Sequence, residues 1–260
     1  MEDVRTKVLA SDYDGTLRID HNVSKENLDA IIKFQEAGNI FGIVTGRSME
    51  SLLDEIHKYK IPYDFIITNN GGVLFNKQLE KLSTQYINKE KALEIISYIK
   101  QTNCISYVVN DGYHRYKVIN NVNAIDHKYA NIKDCSGQEH EILNNIEIAQ
   151  IVLSLEDDVS AHQIAYALNT KYHDVIEAYV NTKCVDIVPK GISKAKGIKE
   201  ICAYLSLPLE YVYAIGDSYN DITMIEAFHG CTLDHANEDI KMKADYIFGS
   251  VASCIAYLMK

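Results

Sequence analysis

The chain has 260 residues, 47% of them hydrophobic, and a formal net charge of −10. This length and composition predict a folded globular protein, with either one large domain or two modest ones. The acidic charge argues against nucleic acid as the main partner, because binding to a phosphate backbone needs a basic surface. A local basic site for a small anion is still compatible with it.

The six cysteines are scattered, without a C-x-x-C pair or a histidine at metal-ligand spacing. We interpret them as reduced, mostly buried thiols of a cytoplasmic protein. The N-terminal segment lacks the apolar region of a signal peptide, and no apolar run approaches the ~18 residues of a membrane span. The longest apolar stretch, at the C-terminus, spaces Val251, Ile255 and Leu258 like the buried stripe of a helix.

The first third of the chain alternates between strand-like and helix-like segments. The strand-like segments are KVLAS, NIFGIVTGRS and YDFIITNNGG, and the helix-like segments are SKENLDAIIKFQEAG and MESLLDEIHKYK. In the first helix we expect Ser24 as the N-cap and Leu28, Ile31 and Ile32 on the buried face. This βαβα order is typical of a parallel, doubly wound sheet, in which ligands bind at the carboxyl ends of the strands.

The pattern changes after the third strand. Hairpin-like segments such as CISYVVNDGYHRYKVI follow, in which Asn110-Asp111-Gly112 is a turn signal, together with helical ones such as SAHQIAYALNTKYH. The alternation returns with SKAKGIKEICAYLS, YVYAIGDS and NDITMIEAF. The sequence thus predicts an α/β fold with a Rossmann-like, doubly wound parallel sheet as its core, formed by residues 1–77 and 190–260, and an inserted α+β cap domain at 78–189.

Four polar clusters fall at the ends of predicted strands or the starts of helices in the core segments. In chain order they are Asp12-Tyr13-Asp14-Gly15-Thr16, Thr45-Gly46-Arg47, Lys194 in GISKAKG, and Gly216-Asp217-Ser218-Tyr219-Asn220-Asp221. Residues i and i+2 of an extended strand point to the same face, so the carboxylates of Asp12 and Asp14 would share one small region. Two like charges so close together repel unless a cation or a proton holds them.

Each cluster also has an ordinary structural interpretation when it is taken alone. D-x-D-G-T can be an Asx turn that closes a strand, T-G-R is more often a plain turn, and most lysines are solvated. Lys196 is an open alternative to Lys194 as the cation of the third cluster. The agreement of four clusters in order and position is what favours a functional site.

The four clusters in this order resemble those of the haloacid dehalogenase superfamily of phosphatases, specifically its Cof-type sugar-phosphatase branch with a type-two (IIB) cap. The likeness covers most of the chain, since the insert matches the cap in position and rough size. It implies a Mg²⁺-dependent phosphatase that hydrolyses phosphate monoesters of small metabolites, with sugar phosphates as the expected class, through an aspartyl-phosphate intermediate. We expect a cytoplasmic monomer or weak homodimer without a nucleic-acid or membrane partner.

The resemblance also implies roles for individual residues. Asp12 would be the nucleophile and Asp14 the general acid and base. Mg²⁺ would be held by Asp12, by the main-chain carbonyl of Asp14 and by Asp217. The other expected residues bind phosphate (Thr45, Gly46, Lys194 and Asn220), orient Lys194 or a metal-bound water (Asp221), or select the substrate (Arg115 and Asn70).

One departure from the family pattern follows the fourth cluster. Family members commonly carry Gly-Asn-Ala there, whereas this chain has Asp234-His235-Ala236. We expect His235 to be an ordinary surface histidine rather than a replacement for the asparagine.

Other functions fit the sequence less well. A phospho-accepting receiver domain has roughly half this length and no large insert. A sugar phosphomutase of the same fold must bind a second phosphate in its cap, which favours arginines, and Arg115 is the only arginine in the insert. A non-enzymatic phosphate-binding protein ranks third, because none of the expected core residues is missing.

Overall fold

A computed structural model describes residues 6–126 and 129–260 of the chain. The strands are β1 (Val8–Ser11), β2 (Arg18–Ile19), β3 (Asn22–Val23), β4 (Ile40–Val44), β5 (Phe65–Thr68), β6 (Val73–Asn76), β7 (Lys81–Thr84), β8 (Ser106–Asn110), β9 (Arg115–Ile119), β10 (Gln150–Ser154), β11 (Ile176–Asn181), β12 (Cys184–Pro189), β13 (Val212–Gly216), β14 (His229–Leu233) and β15 (Tyr246–Phe248). The α-helices are α1 (Lys25–Glu36), α2 (Met49–Tyr59), α3 (Lys89–Ile99), α4 (Glu139–Asn145), α5 (Asp158–Lys171), α6 (Lys194–Tyr204), α7 (Ile222–Ala227), α8 (Glu238–Lys241) and α9 (Val251–Leu258).

The chain forms two compact units, each with its own sheet. The first comprises Met1–Arg47, Ser51–Ser83 and Ser193–Lys260, and the second comprises Ser48–Glu50 and Thr84–Ile192. The segment of the first unit that precedes the insert ends at Ser83, a few residues after the boundary expected at residue 77, because β7 still belongs to the sheet of the first unit. The predicted fold class, an α/β core with an inserted α+β unit, is confirmed.

The first unit is built on an eight-stranded sheet in the order β15-β14-β13-β1-β4-β5-β6-β7. The strands from β15 to β5 run parallel, and β1 and β5 are buried along their whole length, as expected for central parallel strands. In contrast, β6 pairs antiparallel with β5. The sequence interpretation did not assign this edge strand, and the tight Asn69–Gly71 turn before it leaves no room for the crossover helix that a parallel strand would need.

Helix α1 begins after Ser24, whose side chain accepts a hydrogen bond from the Asn27 N–H, as predicted. Its buried face differs from the prediction, since Asn27 and Ile31 are buried while Ile32 is 43% exposed. Asn27 is tolerated inside because its Oδ1 accepts a hydrogen bond from the Ala252 N–H at the start of α9. A buried polar residue with a partner distant in sequence is not visible in a hydrophobicity pattern.

The apolar C-terminal stretch forms α9, and the expected stripe is confirmed: Val251, Ile255 and Leu258 are at most 2% exposed. Among the residues that the structure describes, no helix combines the length and apolar character that a membrane span requires.

All six cysteines are free, and five of them are buried, which confirms the prediction of unpaired, mostly buried thiols. Burial raises the pKa of the Cys202 thiol to about 11. This thiol is therefore protonated at neutral pH and has little nucleophilic character.

The second unit contains a five-stranded antiparallel sheet in the order β11-β12-β10-β8-β9. Helices α3 and α5 contribute to the core on one of its faces. The β8–β9 hairpin turns at Asn110-Asp111-Gly112, as predicted. Gly112 has a φ of 97°, and its N–H donates a hydrogen bond to Asn110 Oδ1 at 2.8 Å.

Candidate active site

The polar clusters of the first unit stand where neighbouring parallel strands end. The strands β13, β1, β4 and β5 lie side by side and are followed by Asp217, Asp12, Thr45 and Asn69, respectively. Because these strands run in the same direction, the residues that follow them meet at one edge of the sheet. The structure thus brings the expected core residues together.

The ammonium group of Lys194, the first residue of α6, lies between two aspartates. Nζ is 2.6 Å from Asp12 Oδ1 and 2.5 Å from Asp221 Oδ1, and the three side chains are buried. Burial alone would lower the pKa of Lys194, but the charges of Asp12 and Asp221 outweigh it and hold that pKa above its usual range. Lys196, the open alternative, is half-exposed and pairs with Glu200.

The position of Lys194 depends on a close approach between the turn after β5 and the start of α6. A Cβ on Gly71 would lie 2.0 Å from the Ser193 carbonyl oxygen, and one on Gly197 would lie 2.8 Å from Gly71 Cα. Side chains at these two positions would push the helix away from the sheet. The two glycines therefore let α6 present its first residue to the aspartates.

The turn after β5 is strained and joins the site. Asn69 and Asn70 have φ values of 53° and 54°, a left-handed conformation that non-glycine residues rarely adopt. Asn70 Oδ1 accepts a hydrogen bond of 3.0 Å from Asn220 Nδ2. Asn70, one of the two residues expected to select the substrate, is thereby in direct contact with a residue of the fourth cluster.

Both oxygens of Asp221 are engaged by the protein. Oδ1 contacts Lys194, and Oδ2 accepts hydrogen bonds from the N–H groups of Asp217 at 3.0 Å and Ser218 at 2.9 Å. Gly216 permits this arrangement, since a Cβ there would lie 2.4 Å from Asp221 Cγ. The geometry favours a positioning part for Asp221 and leaves cation binding to the other carboxylates.

Asp12 and Asp217 offer oxygens to a cation. Carboxylate oxygens of Asp12, Asp217 and Asp221 lie within 4.8 Å of one another, and Asp12 Oδ2 is buried without a hydrogen-bond partner among the described residues. Burial, reinforced by the charge of Asp221, raises the pKa of both Asp12 and Asp217. The three carboxylates carry more negative charge than the one ammonium group of Lys194 balances, and one divalent cation would balance the excess. An all-oxygen donor set fits Mg²⁺.

The loop after Asp12 is packed on Asp217. Thr16 Oγ1 donates a hydrogen bond of 2.7 Å to Asp217 Oδ1. Gly15 has a φ of 89°, and a Cβ at this position would lie 2.3 Å from Asp217 Oδ2. Both the conformation and the close approach require glycine. The Gly-Thr that follows the aspartate pair in sequence therefore links β1 to the carboxylate after β13.

Asp14 is held by an arginine to which the sequence interpretation gave no role. Arg47 Nε is 2.6 Å from Asp14 Oδ2, and Arg47 Nη2 is 2.7 Å from Asp14 Oδ1, which makes a bidentate ion pair. The guanidinium carbon lies 5.0 Å from the centroid of the Tyr13 ring. Arg47 directly follows Thr45 and Gly46 in the second cluster, so its place in that motif was the available signal.

The groups expected to bind phosphate retain donors. Thr45 Oγ1 accepts a hydrogen bond of 3.1 Å from the Arg47 N–H, so its own proton can be donated to an anion. Gly46 follows at the start of the same connection. Asn220 uses one amide hydrogen on Asn70, and a second hydrogen remains for a phosphate oxygen.

His235 contacts the loop after Asp14 from the end of β14. Its side chain is 43% exposed, yet its Nε2 lies 2.9 Å from the Gly15 carbonyl oxygen. A hydrogen bond of 3.1 Å from the Ala236 N–H to the Leu233 carbonyl closes the turn that carries it. The expected surface exposure is present, but the contact with the Gly15 carbonyl was not predicted.

Arg115 belongs to the second unit, where it begins β9 and stands opposite Asn110 in the β8–β9 register. Its side chain is 30% exposed. The part in substrate selection expected for Arg115 stays a prediction.

Comparison with known proteins relates the chain to a family of hydrolases. A sequence profile described as haloacid dehalogenase-like hydrolase matches residues 9–257. The chain is 26% identical over 250 residues to the 5-amino-6-(5-phospho-D-ribitylamino)uracil phosphatase YcsE of Bacillus subtilis, which covers 95% of this chain and 91% of that protein. It is 25% identical over 278 residues to phosphatase YwpJ of the same organism, with 93% and 94% covered.

Solved structures share the fold over nearly the whole chain. A HAD/COF-like hydrolase from Plasmodium vivax superposes with a TM-score of 0.81 at 22% identity, covering 99% of this chain and 95% of that one. The HAD subclass IIB sugar phosphatase BT4131 superposes with a TM-score of 0.80 at 22% identity, covering 98% of each chain. At this level of identity the likeness establishes the fold.

Proposed function

The chain belongs to the haloacid dehalogenase-like hydrolases and is a phosphatase, and we propose that it hydrolyses phosphate monoesters of sugar-like metabolites through an aspartyl phosphate at Asp12. The observation that carries this proposal is the close set of three aspartates, of which Asp12 and Asp221 are buried and paired with Lys194. A purely structural ion pair would not need three carboxylates for one ammonium group. It would also not leave a buried oxygen of Asp12 without a partner among the described residues.

Phosphoryl transfer to a carboxylate requires neutralisation of several negative charges. Lys194 supplies one positive charge beside Asp12, and hydrogen bonds from Thr45, Gly46 and Asn220 would orient the phosphate oxygens. Mg²⁺ held by Asp12, Asp217 and the Asp14 carbonyl would neutralise the phosphate when bound.

The proposed reaction has two halves. In the first, a carboxylate oxygen of Asp12 forms a bond to phosphorus, the bond from phosphorus to the alcohol oxygen breaks, and Asp14 gives that oxygen a proton. In the second, Asp14 takes a proton from water, whose oxygen attacks phosphorus and releases Asp12 and inorganic phosphate. Asp14 must therefore hold a proton before the first half begins, and in this structure its two oxygens are paired with Arg47 and Arg18.

The proposed substrate is a phosphate ester on a polyhydroxylated carbon chain. YcsE is named for a phosphoribityl compound and BT4131 as a sugar phosphatase, and both types of leaving group carry several hydroxyl groups. Arg115 and Asn70 are the first residues to examine for selection of the leaving group. A sugar phosphomutase remains the weaker alternative, because the insert holds a single arginine.

A phosphate-release assay tests the proposed function. We expect the purified protein to release inorganic phosphate from at least one of hexose phosphates, pentose phosphates, 5-amino-6-(5-phospho-D-ribitylamino)uracil, pyridoxal phosphate and nucleotides. Chelation should abolish the activity and Mg²⁺ should restore it, whereas Ca²⁺ should inhibit, because its higher coordination number lets both oxygens of Asp12 bind the ion. Absence of phosphate release from the whole panel would contradict the proposal. Full activity in chelator would contradict the proposed dependence on Mg²⁺.

The role of Asp14 predicts a dependence on the leaving group. Asp14→Asn should slow the first turnover of a sugar phosphate at least about 100-fold more than that of p-nitrophenyl phosphate, because a good leaving group needs little protonation. Rapid-quench measurement of the first turnover checks this, with the exposed Asp54→Asn as a matched control. Equal slowing of both substrates would count against an acid role for Asp14.

A further inference from the structure

Three hydrogen bonds fix the loop that follows Asp14. The Gly15 N–H donates to the Arg18 carbonyl at 2.9 Å, and the Thr16 hydroxyl donates to Asp217 at 2.7 Å. The third joins His235 Nε2 to the Gly15 carbonyl at 2.9 Å. A carbonyl oxygen only accepts, so Nε2 carries the proton, and both the neutral ring protonated at Nε2 and the imidazolium satisfy this contact.

The bond from His235 acts on one peptide group with a particular position. The Gly15–Thr16 peptide lies between the Asp14 carbonyl, which is expected to bind the cation, and the Thr16 hydroxyl, which holds Asp217. Gly15 has no side chain that could anchor this peptide, and its φ of 89° lies outside the range that most residues prefer. An external hydrogen bond is therefore an effective way to fix its orientation.

The surroundings of His235 are consistent with a contribution to the site. Burial and the charge of Asp221 raise the pKa of Asp217, and an imidazolium at His235 would act in the opposite direction. On the other side of the ring, Nδ1 lies 3.7 Å from Asp234 Oδ1. His235 thus has the exposed carboxylate of Asp234 on one side of its ring and the Gly15 carbonyl on the other.

We propose that His235 is a positioning residue of the cation site. Its hydrogen bond to the Gly15 carbonyl holds the peptide that separates the Asp14 carbonyl from Thr16, so that this carbonyl and Asp217 face the same ion. The inference rests on the proposed metal-dependent function.

Direct binding of Mn²⁺, measured by electron paramagnetic resonance without substrate, tests this inference. His235→Ala should weaken Mn²⁺ binding by about tenfold, the loss typical when a group that supports metal ligands is removed. The Mg²⁺ concentration for half-maximal phosphate release should rise in parallel. His235→Gln should restore binding to within about threefold of the native protein, because its amide Nε2 can donate from nearly the same position as the histidine Nε2.

His229→Ala is the matched control. His229 lies at the opposite end of β14, and its Nε2 is also within hydrogen-bond distance of a backbone carbonyl, that of Glu210 at 3.0 Å. This variant should bind Mn²⁺ with native affinity, and thermal unfolding of all variants identifies any loss of fold.

Two results would overturn the inference alone: native Mn²⁺ affinity in folded His235→Ala, or a His235→Gln protein that binds as weakly as the alanine variant. If the native protein binds no Mn²⁺ and releases phosphate in chelator, both this inference and the metal part of the proposed function fail. Metal-dependent activity of the native protein, together with native Mn²⁺ affinity in His235→Ala, would contradict this inference and leave the proposed function intact.

Discussion

Asp12→Asn should reduce kcat for phosphate release by at least about 1,000-fold, equivalent to ~4 kcal/mol in the activation free energy. The substitution removes the attacking carboxylate and one charge from the expected cation site, while the amide keeps nearly the same shape. Steady-state phosphate release measures the loss. Asp64→Asn is a suitable control. Asp64 immediately precedes β5, pairs with Lys77 and lies outside the site.

The same variant should not be less stable than the native protein when divalent cations are removed. Burial and the charge of Asp221 raise the pKa of Asp12, so at neutral pH its ionised form opposes folding, and Asn removes that charge. Any gain in the free energy of unfolding should be present at neutral pH. It should disappear when the pH falls below the usual range of an aspartate, because Asp12 is then protonated in the native protein as well. Thermal unfolding in chelator checks this. A folded variant with more than a tenth of native kcat would contradict the nucleophile assignment.

Lys194→Met should lower the free energy of unfolding by about 3–5 kcal/mol, because it leaves two buried aspartates facing each other without their cation. The loss should be measured by urea unfolding at neutral pH in chelator. It should shrink at acidic pH, where the carboxylates are protonated, and phosphate release should also be abolished. Adding Asp12→Asn to this variant should recover part of the stability, since one of the two uncompensated charges is then removed.

Lys196→Met provides the control for this prediction. Lys196 lies two residues along the same helix, but it is half-exposed and its partner is Glu200 on the helix surface. Its removal should change the free energy of unfolding by no more than about 0.5 kcal/mol and leave activity in place. Equal effects of the two substitutions would show that the burial of Lys194 between Asp12 and Asp221 has no energetic consequence.

The proximity of the main polar clusters could be predicted because it follows from topology. Asp12, Thr45 and Asp217 each follow a strand of an alternating β–α pattern, and such strands are parallel, so their ends meet. Lys194 could be placed at the start of a helix, but the choice between Lys194 and Lys196 required the structure. That choice depends on which side chain points into the site, and two glycines in different segments determine how close the helix lies.

Arg47 and His235 mark the limit of the sequence-based interpretation of the site. The contact of Arg47 with Asp14 spans 33 positions in the chain, and that of His235 with Gly15 spans 220. Both depend on the reach of a polar side chain between loops, which leaves no periodic signal in the sequence. The antiparallel pairing of β6 was not predicted for a related reason. The sequence of a short apolar strand does not indicate whether the strand runs parallel or antiparallel to its neighbour.

The measurement that tests the central claim most directly is identification of the residue that carries the phosphoryl group. With p-nitrophenyl phosphate and Mg²⁺, Asp14→Asn should form the aspartyl phosphate readily but hydrolyse it slowly, because the leaving group needs no acid and water has lost its base. Acid quench, borohydride reduction and peptide mass spectrometry should then locate the reduced acyl phosphate at Asp12. A phosphoryl group on another residue, or turnover by this variant without any phosphorylated protein, would contradict the proposed mechanism.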